Sequence, residues 1–115
     1  MKYYLVDAFT DSLFSGNPAG VCVLEQWPSD EMMQRIAGEN NLPETAFLCK
    51  EENGWRIRWF TPAFEMDLCG HATLASSFVI LTFYEPDSDV VQFNTMSGPL
   101  TVRRNGSLYE MDFPT

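Results

Sequence analysis

Gly70-His71-Ala72-Thr73-Leu74-Ala75-Ser76-Ser77-Phe78-Val79-Ile80-Leu81-Thr82-Phe83-Tyr84 contains no Asp, Glu, Lys or Arg and is apolar nearly all round at helical spacing. A helix without a polar face has no side to turn to water, so it belongs inside a domain. The stretch therefore predicts a central buried helix with a sheet around it. Its most apolar part, Leu74 to Tyr84, is broken by Ser76, Ser77 and Thr82 and falls well short of the roughly 20 residues that cross a bilayer.

The flanking sequence supplies the sheet. Tyr3 to Phe9 alternates like a half-buried strand, and Ala19 to Glu25 is a short apolar run, with a polar loop over Thr10 to Pro18 between them. Pro28-Ser29-Asp30-Glu31 reads as a helix start, with Ser29 as N-cap and acids in the first turn. Met32, Met33, Ile36 and Ala37 continue it until Gly38 and Asn40-Asn41. Strands follow over Thr45 to Glu51 and Trp55 to Thr61, joined at Asn53-Gly54. Thr61 to Asp67 reads as irregular. Val90 to Thr95, Leu100 to Arg104 and Leu108 to Phe113 complete the strands, the last two closing on Asn105-Gly106. The expected architecture is α+β, with about seven strands in a mostly antiparallel or mixed sheet curled around one central apolar helix, plus a second helix. Residues 1–115 read as one domain, with no linker or repeat.

Sixteen acidic residues against seven basic ones give a net charge of -9, with no Lys/Arg cluster. Nucleic acid and anionic membranes both require clustered positive charge, so neither is an expected partner. The three cysteines, Cys22, Cys49 and Cys69, cannot all pair within the chain, and Met1 to Asp7 has no basic start followed by an apolar signal core. A reduced, cytoplasmic protein is the expectation.

Three places have the composition of a reactive site. In Asn41-Leu42-Pro43-Glu44-Thr45-Ala46-Phe47 a lone carboxylate stands between a proline and the apolar start of a strand. Partial desolvation there would disfavour its charged form and suit a base working near neutral pH; the plain alternative is a solvated glutamate at a strand edge. In Asp67-Leu68-Cys69-Gly70-His71-Ala72-Thr73 a thiol, a glycine and the single histidine of the chain open the central helix. Unpaired N–H groups converge at such a point and favour a carboxylate or oxyanion. The same field would lower the Cys69 pKa, although lone buried cysteines and histidines are commonly structural. In Gly16-Asn17-Pro18-Ala19-Gly20 a glycine-bounded turn offers backbone amides to an anion, or simply turns the chain. GxGxxG, GxxxxGK[ST], CxxC and HExxH are all missing, so nothing in the sequence calls for a nucleotide, nicotinamide or metal cofactor.

Taken together, Asp7-Ala8-Phe9, Phe14 to Val21, Asn41 to Phe47, Arg58-Trp59-Phe60-Thr61-Pro62 and Glu65 to Ala75 resemble, in order, blocks of the phenazine-biosynthesis-like (PhzF-like) isomerase family, and Thr95 to Leu100 resembles a sixth. The resemblance implies a diaminopimelate-epimerase-like fold of two similar halves, each a sheet curled on a helix, with this chain as the N-terminal half. It implies Glu44 as catalytic acid/base without metal or organic cofactor. It also implies a small carboxylate-bearing substrate held by Asn17, Gly70, His71 and Ala72, as in the isomerisation of a dihydro-hydroxyanthranilate. Pro43 stands where many members carry serine, and members run to about twice this length. An alternative is a thiol-based epimerase with Cys69 as base, since Cys69 occupies the place of a catalytic cysteine in enzymes of that fold. There, however, Gly-Asn follows the cysteine, whereas here Gly70-His71 does. A third reading is a non-catalytic half-domain that self-associates, which would make the chain a homodimer.

Overall fold

The computed structural model describes residues 1–6, 18–106 and 108–112. Strands β1 (Lys2–Val6), β2 (Ala19–Leu24), β3 (Glu44–Glu51), β4 (Gly54–Phe60), β5 (Glu65–Met66), β6 (Val90–Thr95), β7 (Gly98–Asn105) and β8 (Leu108–Asp112) form one sheet in the order β1-β2-β3-β4-β6-β7-β8, with β5 on β4. Two joins are parallel, β2 to β3 and β4 to β6, and the others antiparallel. Helix α1 spans Asp30–Asn40 and helix α2 Gly70–Val79. The expected mixed, mostly antiparallel α+β architecture is what forms.

Every strand sends a side chain into the apolar cluster that surrounds α2, from Val6 on β1, Val21 on β2 and Leu48 on β3 to Val102 on β7 and Met111 on β8. That is the geometry of a sheet curled on a helix. The polar residues of α2 do not contradict burial: Ser76 and Ser77, both fully buried, give their hydroxyl protons to the carbonyls of Ala72 and Thr73 one turn earlier. Such a bond satisfies the hydroxyl within the helix itself. The expected helix over Gly70–Tyr84 changes character at its end, where Ile80–Tyr84 widens to a π-helical turn. There Phe83 emerges to 58% exposure and stacks on Tyr4 at 5.2 Å.

Helix α1 covers the opposite face of the sheet. Met33 and Ala37 pack with Cys22, Leu24, Phe47 and Phe60 in a second, smaller cluster. This explains why β2 is buried at all six positions: α2 covers one face and α1 the other.

Several boundaries differ from the sequence reading, and the second hairpin is one of them: Asn105, expected in the turn, is the last residue of β7 and pairs with Leu108. The first hairpin turns on Glu52-Asn53 rather than Asn53-Gly54, because Glu51 pairs with Gly54. Gly54 is required all the same: its φ is +126°, and a Cβ there would lie 2.5 Å from the Gln92 carbonyl oxygen of β6. Helix α1 runs through Gly38 but ends at the expected Asn40, with Asn41 as its cap in the left-handed conformation at φ 52°. Within the supposedly irregular Thr61 to Asp67, Glu65 and Met66 pair with Phe60 and Trp59.

Candidate active site

Glu44 reaches the site by the alternation of β3. Side chains one residue apart on a strand point to opposite faces, and Ala46 and Leu48 lie in the α2 cluster whereas Phe47 lies in the α1 cluster. Glu44, in phase with Ala46, therefore points toward α2. The turn at Asn41 and the Leu42-Pro43 step bring the chain into β3 with Glu44 as its first residue, opposite Ala19 of the parallel β2.

Cys69 comes to the same point from the other direction. It is the N-cap of α2, in extended conformation at φ -142°, and only 7% exposed. Its thiol donates a hydrogen bond to Oε2 of Glu44. Burial, then that bond to the carboxylate, push the thiol pKa up to about 12, although the Ala72 and His71 backbone N–H groups draw it down. The expectation of a helix-activated thiolate is thus reversed. The helix field is present, but loss of hydration and a neighbouring carboxylate both disfavour the anion, and together they win. Cys69 is a thiol at neutral pH.

Gly70 and His71, both half-buried, follow in the first turn of α2, and the Ala72 side chain sits in the core, leaving its backbone to serve the site. The structure therefore brings together Glu44, Cys69, Gly70, His71 and Ala72, which are 25 or more positions apart in sequence across the Glu44–Cys69 contact. Asn17 lies outside the described residues. Of the glycine-bounded turn that contains it, Ala19 and Gly20 are strand residues, with Gly20 so close under Tyr3 that a Cβ would lie 2.9 Å from the Tyr3 hydroxyl oxygen.

Sequence reading gave no role to the groups that hold this arrangement. Arg58 makes two 2.7 Å bonds to the carboxylate of Glu65 and one of 2.9 Å to Asp30, tying β4, β5 and α1 together. The Thr61 hydroxyl accepts the N–H groups of Ala63 and Phe64 at 3.1 and 3.0 Å, folding the segment that leads to Cys69. Trp59 Nε1 donates to the Thr73 hydroxyl at 3.0 Å, and that hydroxyl donates to the Cys69 carbonyl at 2.6 Å. The available signal was physical: a buried indole N–H needs an acceptor, and Thr73 stands one helical turn after Cys69.

Among the described residues no three His, Cys, Asp or Glu side chains converge as a metal site requires, and no helix is long and apolar enough to cross a membrane.

Comparison with known proteins supplies the family. The family of phenazine biosynthesis-like proteins matches residues 6–115. An uncharacterized isomerase of Pseudomonas aeruginosa is 54% identical over 99% of this chain and 44% of its own length. The human phenazine biosynthesis-like domain-containing protein is 43% identical over 99% of this chain and 42% of its own. A crystal structure of a phenazine biosynthesis PhzC/PhzF protein from Clostridium difficile superposes with a TM-score of 0.89 at 57% identity, over 96% of this chain and 43% of that one. A predicted epimerase of P. aeruginosa superposes at 0.79 with 26% identity, over 96% of this chain and 42% of that one. This chain spans less than half the length of the relatives it matches. The ordered blocks from Asp7 to Ala75, the sheet curled on α2 and these matches agree, and the chain belongs to the phenazine biosynthesis-like protein family.

Proposed function

We propose that this chain contributes the general-base half of a proton-transfer isomerase that needs no cofactor. Glu44 removes a proton from one carbon of a small, carboxylate-bearing, unsaturated substrate and returns it to another. The observation that carries the reading is the convergence of the Glu44 carboxylate with Cys69, Gly70 and His71 at the start of α2. A carboxylate is a competent base for a carbon acid when the negative charge it creates can be spread and held. The first amides of α2 provide the holding: the substrate carboxylate docks on them, and the electron pair left by the proton delocalises toward it. The thiol of Cys69 occupies Oε2 and so orients the group, which assigns the proton transfer to Oε1. His71 adds a hydrogen bond to the substrate.

A thiol-based epimerase is disfavoured by the same geometry, because a base with a pKa near 12 in a buried site is almost wholly protonated at neutral pH. The exposed Phe64 and Leu68, on the segment entering the site, are the apolar surface a cleft would present to its second wall. In this reading an isolated half pairs with itself through that face, and the full-length protein carries the activity.

The test is Glu44→Gln in the full-length protein, assayed by solvent-deuterium incorporation into a dihydro-hydroxyanthranilate or another unsaturated carboxylate that the wild type turns over. Exchange should fall by about 10²- to 10⁴-fold while ligand affinity stays within about tenfold, roughly 1.4 kcal/mol, since shape is kept and basicity lost. Undiminished exchange by the variant removes Glu44 from the mechanism.

A further inference from the structure

We propose that Trp59 and Thr73 form a positioning relay that sets Cys69, and through it the Glu44 carboxylate, in register for proton transfer. The proposal rests on the assignment of Glu44 made above. Trp59 is 2% exposed and Thr73 fully buried, and the bond between them joins the sheet to the first turn of α2. Ser76 and Ser77 also bond the carbonyl four residues back, but those bonds stay inside the helix and do not fix it against anything. At Thr73 the hydroxyl has a second duty: it accepts the indole N–H from β4 while donating to the Cys69 carbonyl.

These contacts close a circuit. Trp59 pairs across the sheet with Ala46, two residues along β3 from Glu44. Glu44 receives the Cys69 thiol, the Cys69 carbonyl receives the Thr73 hydroxyl, and Thr73 receives Trp59. The acceptor of the relay and the donor to the base are thus the same residue, held from both its backbone and its side chain. At the Thr73 hydroxyl, which accepts and donates at once, the two bonds strengthen each other. From Cys69 onward the link is one of position, since its carbonyl is held and its thiol reaches Glu44, and a base must be held to a fraction of an ångström to keep its rate. Trp59 and Thr73 touch neither substrate nor reacting atoms and act through Cys69.

A purely structural bond would satisfy the indole and do nothing else, so the test reads more than stability. In the full-length protein, Thr73→Val removes the hydroxyl at nearly constant volume, and Thr73→Ser restores it. Steady-state kinetics are measured at a temperature where both are folded, together with the iodoacetamide alkylation rate of Cys69 against Cys22, resolved by peptide mass spectrometry. Thr73→Val should lose about tenfold or more in kcat with little change in KM, and Cys69 should be alkylated faster relative to Cys22. Thr73→Ser should return both to wild type. A Thr73→Val protein with a lower Tm but unchanged kcat, or with unchanged Cys69 alkylation, overturns the proposal. If Thr73→Val does not fold, Trp59→Phe, which keeps an aromatic ring and deletes the donor, decides by the same two readouts. Glu44→Gln is run alongside: retained exchange there defeats the base assignment, while the alkylation comparison still decides whether the relay holds Cys69.

Discussion

Two helices of nearly equal length lie on opposite faces of one sheet, and their N-termini are used in opposite ways. Helix α1 begins with Ser29, whose hydroxyl accepts the Met32 N–H at 3.1 Å, and carries Asp30 and Glu31 in its first turn. Its amides and dipole are spent on stability. Helix α2 begins with Cys69, which provides no side-chain cap, and has no acid in its first turn. The negative charge that faces it comes instead from β3, through Glu44. A helix start left without its own cap is a place where charge from elsewhere is stabilised. The cysteines repeat the contrast. Cys22, under α1, and Cys69 are both pushed up to about 12, but Cys22 by burial alone and Cys69 by burial and Glu44 together.

Substitutions at the two ends should separate function from stability. The largest effect belongs to Glu44→Gln, with proton exchange falling by about 10²- to 10⁴-fold, the usual worth of a positioned acid/base. Its urea midpoint should move little beside that. Next, Met33→Ala under α1, where the side chain is fully buried, should cost about 3 kcal/mol of stability. Turnover per folded molecule should not change, as judged by denaturant titration beside a kcat measurement; a matching loss of kcat would mean the two faces are coupled.

Smaller effects sharpen the same contrast. Ser29→Ala should cost about 1 kcal/mol in a thermal or urea melt, with no change in activity, because it deletes a cap and nothing else. The smallest and most selective effect is on thiol chemistry. Glu44→Gln removes one of the causes that raise the Cys69 pKa and none of those acting on Cys22. Alkylation of Cys69 should therefore accelerate while that of Cys22 does not, and equal acceleration would point to general loosening. The pH dependence has a definite sign. Below about 9 folded and unfolded thiols are both protonated, so the stability is intact; between about 9 and about 12 the unfolded chain loses thiol protons first, and stability falls as pH rises. Urea midpoints at pH 7 and pH 10 measure the fall, and Cys22→Ala should lessen it.

Much of the fold could be read without coordinates because its signals are local. Ser29 capping α1, the alternation of Val90 to Thr95 and the left-handed glycine at 106 each express a short-range constraint, and each appears in the structure. Errors fell where a distant partner decides. Gly54 is a strand residue paired with Glu51, and what requires a glycine there is Gln92 of β6, 38 residues on; the Glu65–Met66 strand exists because Trp59 and Phe60 offer it an edge.

For the site the division is sharper. The sequence alone determined that an uncharged helix had to be buried, that its start carried Cys69, Gly70 and His71, and, through resemblance, that Glu44 was the residue to watch. Only the tertiary structure decided that Glu44 and Cys69 touch, that Cys69 is a protonated thiol rather than a thiolate, and that Trp59 and Thr73 hold it there. The physical reason is that ionisation and orientation depend on hydration and on neighbours brought by other strands. A pattern of residue types along the chain records which groups are available, whereas the balance between a helix dipole, a carboxylate and lost water is struck only where the elements meet.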